Sequence, residues 1–169
     1  MADFAPAFEK TLIAEGGYQL TNIANDNGGQ TYAGIARKMN PQWAGWSYID
    51  EGGTPPADMV RVFYKQNYWE PLGLTAIESQ AVAAAIYDFA VNAGTGTAAK
   101  LAQIVAGTTP DGRIGPASTA AINAIRPELF MAHYALAKIA RYRDIVRRDK
   151  TQIKFLMGWI NRTLDGVAA

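Results

Sequence analysis

The sequence has no cysteine and only one histidine, His133, among its 169 residues. The absence of cysteine excludes disulfides, thiol nucleophiles and cysteine-based metal sites. Zinc peptidases generally bind their metal through two or more imidazoles, and a Ser-His-Asp triad would need His133 as its base without a Gly-x-Ser-x-Gly elbow to support it. We therefore expect no metal and no organic cofactor, and we interpret His133 as a structural residue on a helix face.

Excess charge and long apolar runs are also missing. The 16 basic residues nearly balance the 15 acidic ones, so nothing indicates a nucleic-acid partner. The longest apolar stretch, residues 81–90, carries Asp88 and is too short to span a membrane. Residues 1–6 lack the basic segment and apolar run of a secretory signal. With 49% hydrophobic residues, the chain is expected to fold as a single domain over residues 1–169 and to be a monomer.

The apolar spacing predicts a mainly α (α+β) fold. Asp3 is placed to cap a first helix in which Phe4, Phe8 and Leu12 share one face, and the pair at residues 16–17 ends it. A second helix opens at residues 54–56 and stops at Pro71, with Met59, Val62 and Phe63 as its apolar side. Further helices, bounded by Gly, Pro or a capping hydroxyl, are predicted at residues 79–93, 97–106, 116–125, 127–148 and 151–164.

Glu15 follows the apolar face of the first helix and lies in its last predicted turn. Hydrolysis of a glycosidic bond needs a carboxylic acid that can give its proton to the leaving oxygen. The negative end of the helix dipole disfavours a charged carboxylate there, which suits an acid. Residues 18–36 are rich in Asn, Gly and Thr, and the turn signal at residues 25–29 predicts a small β-hairpin next to Glu15. The alternative is that Glu15 is a solvated side chain.

Three motifs point to one family. Glu15-Gly16-Gly17-Tyr18 is followed by Asp-Asn-Gly-Gly-Gln-Thr-Tyr-Ala-Gly-Ile at residues 26–35 and by Asp-Phe-Ala-Val-Asn-Ala-Gly at residues 88–94. Together they resemble glycoside hydrolase family 108, the peptidoglycan N-acetylmuramidases of phage endolysins and related cell-wall enzymes. The resemblance implies a lysozyme-like fold with a catalytic lobe at residues 1–94 and a helical C-terminal lobe at residues 95–169.

A fourth segment, Asp-Gly-Arg-Ile-Gly-Pro-Ala-Ser at residues 111–118, is similar to a turn of peptidoglycan-binding modules, with Ser118 where Thr is usual. We favour its interpretation as a tight turn that leads into a helix through Pro116.

The resemblance implies roles for several residues. Glu15 is the expected general acid, and Asp26 and Thr31 are expected to position or activate the attacking water or to stabilise the transition state. Asp26 is as well explained by the turn alone. The substrate-binding residues are expected to be Tyr18, Tyr32, Asp88 and Asn92.

Other aromatic residues allow two interpretations. Trp43, Trp46 and Tyr48 lie in an irregular stretch that either rims the cleft or belongs to the core, whereas Trp69 and Trp159 fit core positions of helices.

The expected function is cleavage of the β-1,4 bond between N-acetylmuramic acid and N-acetylglucosamine in bacterial peptidoglycan. A phage-type endolysin would wait in the host cytoplasm and act in the periplasm and cell wall. The alternatives are a lytic transglycosylase and a non-catalytic wall-binding module. The basic helical segment at residues 138–154 is interpreted as a solvated face, or else as a weak contact with envelope polymers or the membrane surface.

Overall fold

The computed structural model describes residues 1–22 and 29–166, with the backbone alone at residue 22. The chain divides into two compact units, Asp3–Pro71 and Leu72–Ala169, and Met1–Ala2 belongs with the second. The described residues form eight α-helices and one antiparallel sheet of three short strands. The predicted mainly helical class with a small sheet is thus confirmed. None of the helices in these ranges is both long and apolar enough to cross a membrane.

Helix α1, Phe4–Ala14, opens the first unit as its sequence predicts. The carboxylate of Asp3 accepts a hydrogen bond from the Ala5 amide at 3.1 Å, which satisfies one of the free donors at the helix start. Phe4, Phe8 and Leu12 are buried on one face of α1. Phe4 and Phe8 also pack ring to ring, with centroids 5.4 Å apart. The predicted cap and apolar face of this helix are confirmed.

Three strands follow, where a two-stranded hairpin was predicted. They are β1 at Leu20–Asn22, β2 at Gln30–Tyr32 and β3 at Ile35–Ala36, paired antiparallel in that order. The link between β2 and β3 is Ala33-Gly34, and both residues have positive φ, 49° and 78°. Two consecutive positive φ values are typical of the tightest hairpin turn, which brings the chain straight back along β2. The turn predicted at residues 25–29 lies outside the described residues except for Gly29.

The rest of the first unit differs from the prediction in two ways. Helix α2, Gly45–Asp50, lies where an irregular stretch was expected. Helix α3, Ala57–Tyr64, ends earlier than predicted, because the chain continues as a wider π-helical turn, Lys65–Trp69, and then a 3-10 turn, Glu70–Leu72.

The buried side of α3 also corrects the prediction. Val60 and Tyr64 are buried, with exposed fractions of 0% and 2%, whereas Val62 is 49% exposed. The sequence offers two apolar stripes on this helix, and the stripe that contains Met59, Val62 and Phe63 is not the one that enters the core. Trp69 is buried in the π-helical turn, as its predicted core role requires.

The second unit is a helical bundle. Ser79 begins it as the cap of α4, accepting a hydrogen bond from the Val82 amide at 3.4 Å. Alanines such as Ala83 and Ala90 are fully buried in α4, so neighbouring helices can approach closely. The bounds of the five helices agree with the predicted bounds to within about two residues. They are α4 at Gln80–Ala93, α5 at Thr95–Val105, α6 at Pro116–Asn123, α7 at Pro127–Arg148 and α8 at Ile153–Asp165.

The turn at residues 111–118 is built around Gln103, which is 1% exposed. The Gln103 Nε2 donates to Asp111 Oδ1 at 2.8 Å and to Ser118 Oγ at 3.1 Å, and its Oε1 accepts from the Gly112 amide at 2.9 Å. The hydrogen bond from Gln103 is also the main reason that the pKa of Asp111 is lowered. Because the polar groups of this motif face Gln103, the contacts favour the structural interpretation of the turn.

Lys138 does not belong to the exposed basic face that the sequence predicted. Its side chain is buried in the second unit at 6% exposure. The ammonium lies 5.2 Å from the ring centre of Phe89 and 4.9 Å from that of Tyr134. Burial lowers the pKa of Lys138 to about 8, with Asp88 opposing this shift and Arg162 adding to it. Lys138 is therefore a core residue, and this part of the prediction is wrong.

Candidate active site

Glu15 caps the carboxyl end of α1, one residue after the last helical position. The Gly16 amide donates to the Ile13 carbonyl at 3.1 Å, and the Gly17 amide donates to the Leu12 carbonyl at 2.8 Å. This pair of bonds defines a Schellman motif, which needs a left-handed residue directly after the cap. Gly16 supplies it, with φ at 91°. The two glycines of the motif therefore end the helix and fix the backbone from which the Glu15 side chain projects.

The turn between β2 and β3 packs against the half-buried side chain of Glu15. A β-carbon added at Gly34 would lie 3.0 Å from the Cβ and 3.3 Å from the Cγ of Glu15, and it would collide with the Tyr64 hydroxyl. That hydroxyl donates a buried hydrogen bond to the Ala33 carbonyl at 2.9 Å. Glycine at position 34 thus lets the hairpin approach Glu15, and Tyr64 holds the turn in place.

Tyr68 is the second tyrosine of this site, and it lies in the π-helical turn. Its pKa is raised, mainly by burial and further by the charge of Glu15, which places the phenol within electrostatic reach of that carboxylate. The rings of Tyr64 and Tyr68 pack with centroids 5.8 Å apart. Single π-helical turns occur often at functional sites, where they displace a side chain from the regular helical position. The ring contact shows that Tyr68 lies on the same side as Tyr64.

The residues predicted around the hairpin differ in their exposure. Tyr18 is 44% exposed directly after the Schellman motif, which leaves it accessible to a sugar. Tyr32 is 4% exposed and stacks on Trp43 with ring centres 6.0 Å apart, so its contacts favour a packing role over the predicted one. Thr31 is half-buried in β2 opposite Thr21 and Ala36. Asp26 lies outside the described residues.

Asp88 and Asn92 lie in the second unit, where both bind Arg162. The Asp88 carboxylate accepts from Arg162 Nη2 at 2.8 Å and from Arg162 Nε at 3.3 Å. When the Asn92 amide is oriented with its oxygen toward the guanidinium, it accepts from Arg162 Nη1 and Nε, each at 3.0 Å. These contacts give both motif residues a role in anchoring α8. Their predicted contact with substrate stays a prediction.

The arrangement around Glu15 suits acid catalysis. A half-buried carboxyl at a helix end, with a tight turn on one side and a phenol nearby, is held in a fixed position from which it can meet a substrate bond. Within residues 1–22 and 29–166, no group of three or more His, Cys, Asp or Glu side chains is arranged to hold a metal ion. His133 is exposed on α7.

Tyr64 and Tyr68 were missed at the level of sequence. Their spacing of four residues could have revealed them, since tyrosines at such positions share one face of a helix. The predicted apolar side of this helix was the one with Met59, Val62 and Phe63, and no sequence pattern indicates a π-helical turn.

Comparisons with known proteins agree with this geometry. The model of the family described as glycosyl hydrolase 108 matches residues 8–94, and the model of a predicted peptidoglycan domain matches residues 97–164. The solved structure of SagA from Brucella abortus superposes with a TM-score of 0.71 at 26% identity. The alignment covers 98% of this chain and 91% of the SagA chain. The search of curated proteins gives no match. The chain belongs to the glycosyl hydrolase 108 family and is a peptidoglycan hydrolase.

Proposed function

We propose that this enzyme is a muramidase, which hydrolyses the β-1,4 bond between N-acetylmuramic acid and N-acetylglucosamine, with Glu15 as the general acid. The observation that carries the proposal is the position of Glu15. The Schellman motif fixes its backbone, and the Gly34 turn packs on its side chain. The family match includes this residue and the turn. A carboxyl held in this way can protonate the leaving oxygen of a glycosidic bond as the bond breaks.

The second half of the reaction needs a water molecule that attacks the sugar carbon. We assign its positioning to the hairpin, through Thr31 and Asp26, because β2 leads directly into the turn that packs on Glu15. If Asp26 acts as the base on the opposite face of the sugar, the product is the inverted anomer. Proton NMR of the first-formed anomer tests this assignment, because the β-anomer would indicate retention and a different role for Asp26.

Product analysis identifies the bond and the type of reaction. Purified peptidoglycan is digested with the wild-type enzyme, and the fragments are reduced and measured by mass spectrometry. A muramidase leaves N-acetylmuramic acid at the reducing end, with the mass of one added water for each bond cut. An anhydro-muramyl end would instead show internal attack by the 6-hydroxyl, which is the reaction of a lytic transglycosylase. Reducing ends on N-acetylglucosamine would contradict the proposed bond.

We also propose that the enzyme acts as a phage-type endolysin, held in the host cytoplasm and released to the cell wall. The match of residues 97–164 to a peptidoglycan domain supports the cell wall as the place of action. Expression in bacteria with and without a membrane-permeabilising agent tests the proposal. Lysis only after permeabilisation supports it, and lysis without permeabilisation contradicts the need for release.

We further propose that the enzyme works as a monomer and that the cationic residues between 138 and 154 other than Lys138 give at most a weak contact with anionic envelope surfaces. Part of this charge is already compensated, since Arg143 donates to the Asp144 carboxylate at 2.9 and 3.0 Å. Light scattering after size-exclusion chromatography measures the oligomeric state. Co-sedimentation with anionic vesicles at low and high salt measures the surface contact, which salt should weaken.

A further inference from the structure

A surface cavity in the first unit is lined by residues other than Glu15 and the turn that packs on it. Its volume is about 360 Å³, within the range of about 300–1,000 Å³ that is typical of small-molecule sites. One face of α3 and the π-helical turn forms most of the wall, and the residues before α2 close it. The lining includes Trp43, Asp58, Met59, Val62, Gln66 and Asn67.

The floor of this cavity is the apolar stripe of α3 that does not enter the core. Val62 is 49% exposed, and Met59 and Phe63 are only partly covered. Trp43 also lines the cavity and makes ring contacts with Tyr32 and Trp46, whose centroids lie 6.0 and 5.1 Å away. A rigid, partly exposed indole next to aliphatic side chains offers a firm apolar surface at little entropic cost.

The rim carries side chains that suit hydroxyl groups. Asp58 accepts hydrogen bonds, and the amides of Gln66 and Asn67 both accept and donate. The Asn67 Nδ2 donates to the Phe63 carbonyl at 2.8 Å, which fixes the orientation of that amide. No Lys, Arg or His is among the lining residues, so the cavity does not favour an anion. The lining is mainly apolar with polar groups at its edge, so a neutral ligand with an apolar face and a few polar groups matches it best.

The cavity adjoins the aromatic residues that flank Glu15. The Phe63 ring lines the cavity and packs edge-on against Tyr64, at 5.6 Å, and against Tyr68, at 6.3 Å. Tyr64 anchors the turn on Glu15, and Tyr68 lies within reach of its charge. A polymeric substrate that occupies the site at Glu15 is therefore present close to this wall of the same unit.

We propose that the cavity is an accessory site for one N-acetylhexosamine residue of a peptidoglycan glycan strand. The sugar ring would pack against Trp43, its acetamido methyl would contact Met59 and Val62, and its hydroxyls would bind the polar rim. This inference rests on the proposed function, because it assumes that the substrate is a peptidoglycan glycan strand. The site binds and does not catalyse, so it increases affinity for long strands and leaves the bond-breaking step to Glu15.

The test uses the full chain with Glu15→Gln, so that the ligand is not cut, and a β-1,4-linked N-acetylglucosamine tetramer as the probe. In nitrogen-15 NMR spectra, the indole signal of Trp43 and the side-chain amide signals of Gln66 and Asn67 are expected to shift and saturate. Adding Val62→Glu should weaken binding at this site by about tenfold, since it places a charge on the apolar floor. Ile104→Glu is the control, because Ile104 is similarly exposed, at 58%, and lies in the other unit.

Three results would overturn the proposal. The first is a Trp43 signal that stays unmoved at the solubility limit of the tetramer. The second is equal affinity in the Val62→Glu and Ile104→Glu variants. The third is a shift caused by an isolated stem peptide and not by the tetramer. Failure of the proposed function is detected separately, because hydrolysis and product identity are measured with the unmodified enzyme, whereas this titration follows binding alone.

Discussion

Gly34 lies so close to Glu15 that any β-carbon at position 34 would come within 3.0 Å of the Cβ of Glu15. The contact joins the end of the first helix to the turn of the sheet, two features that are separate in the sequence. Position 34 therefore needs glycine for two reasons. Its φ is 78°, and there is no space for a side chain. The position of the Glu15 side chain is thus set by the contact with Gly34 as well as by its own helix.

The Gly34→Ala variant tests this contact. We expect the free energy of unfolding to fall by about 2–4 kcal/mol, because alanine is strained at this φ and its methyl group collides with Tyr64 and Glu15. The matched control is Gly52→Ala, where φ is 80° and nothing lies within 4 Å of the added carbon. That variant should lose only about 1 kcal/mol. Urea unfolding of both proteins measures the difference, and equal losses would mean that crowding at Gly34 has no effect.

Tyr64→Phe tests the anchor of the turn. It leaves the Ala33 carbonyl without the buried hydrogen bond of 2.9 Å, so we expect a loss of stability of about 1–3 kcal/mol. The same change removes the hydroxyl that collides with a methyl group at position 34. The double variant with Gly34→Ala should therefore be less unstable than the sum of the two single losses. Strict additivity in urea unfolding would show that the two residues do not interact.

Lys138 predicts an unusual dependence of stability on pH. Its pKa falls from 10.5 in the unfolded chain to about 8 in the folded protein. The unfolded chain then binds more protons between these values, so this residue makes stability rise with pH from 8 to 10.5, by at most about 1.4 kcal/mol per pH unit. Below pH 8 both states are protonated, and the cost of burying the charge is constant.

Lys138→Met isolates that contribution. The difference in unfolding free energy between the variant and the wild type should favour the variant near neutral pH and shrink as the pH rises above 8. Taking the difference removes the opposing effect of buried tyrosines, such as Tyr134, whose pKa is raised by burial. A difference that stays constant across this range would contradict a lowered pKa for Lys138.

Arg162→Lys tests whether the motif residues of α4 hold the last helix. Lysine keeps the charge but lacks the planar guanidinium with which arginine binds Asp88 and Asn92 at the same time. We expect stability to fall by about 1–3 kcal/mol, with the rate of hydrolysis per folded molecule nearly unchanged. Calorimetry and a turnover assay separate the two effects. Loss of turnover at full stability would indicate instead that this group of residues contacts the substrate.

The features that could be predicted are those that depend on contacts between residues close together in the sequence. Asp3 caps α1 through the amide two residues ahead, and Gly16 ends that helix through bonds within five residues, so the local pattern sufficed. Helix α7 likewise has the predicted bounds. The contact of Tyr64 with Ala33 spans 31 residues, and no local pattern could reveal it.

Other errors have physical causes of the same kind. Both stripes of α3 are apolar, and only packing determines that Val60 enters the core while Val62 lines a cavity. Lys138 was predicted to be exposed because it belongs to a basic segment of the sequence. It is buried because aromatic rings surround it, one from α4 and one from its own helix one turn away.

Hydrolysis of purified peptidoglycan by the Glu15→Gln variant tests whether Glu15 is the catalytic acid. Glutamine keeps the shape of the side chain and cannot donate a proton as an acid, so turnover should fall by about 10²–10⁴-fold while binding to peptidoglycan persists. Glu9→Gln is the matched control, since Glu9 is an exposed residue of the same helix and should keep full activity. Activity of Glu15→Gln equal to that of Glu9→Gln would contradict the assignment of Glu15 as the catalytic acid.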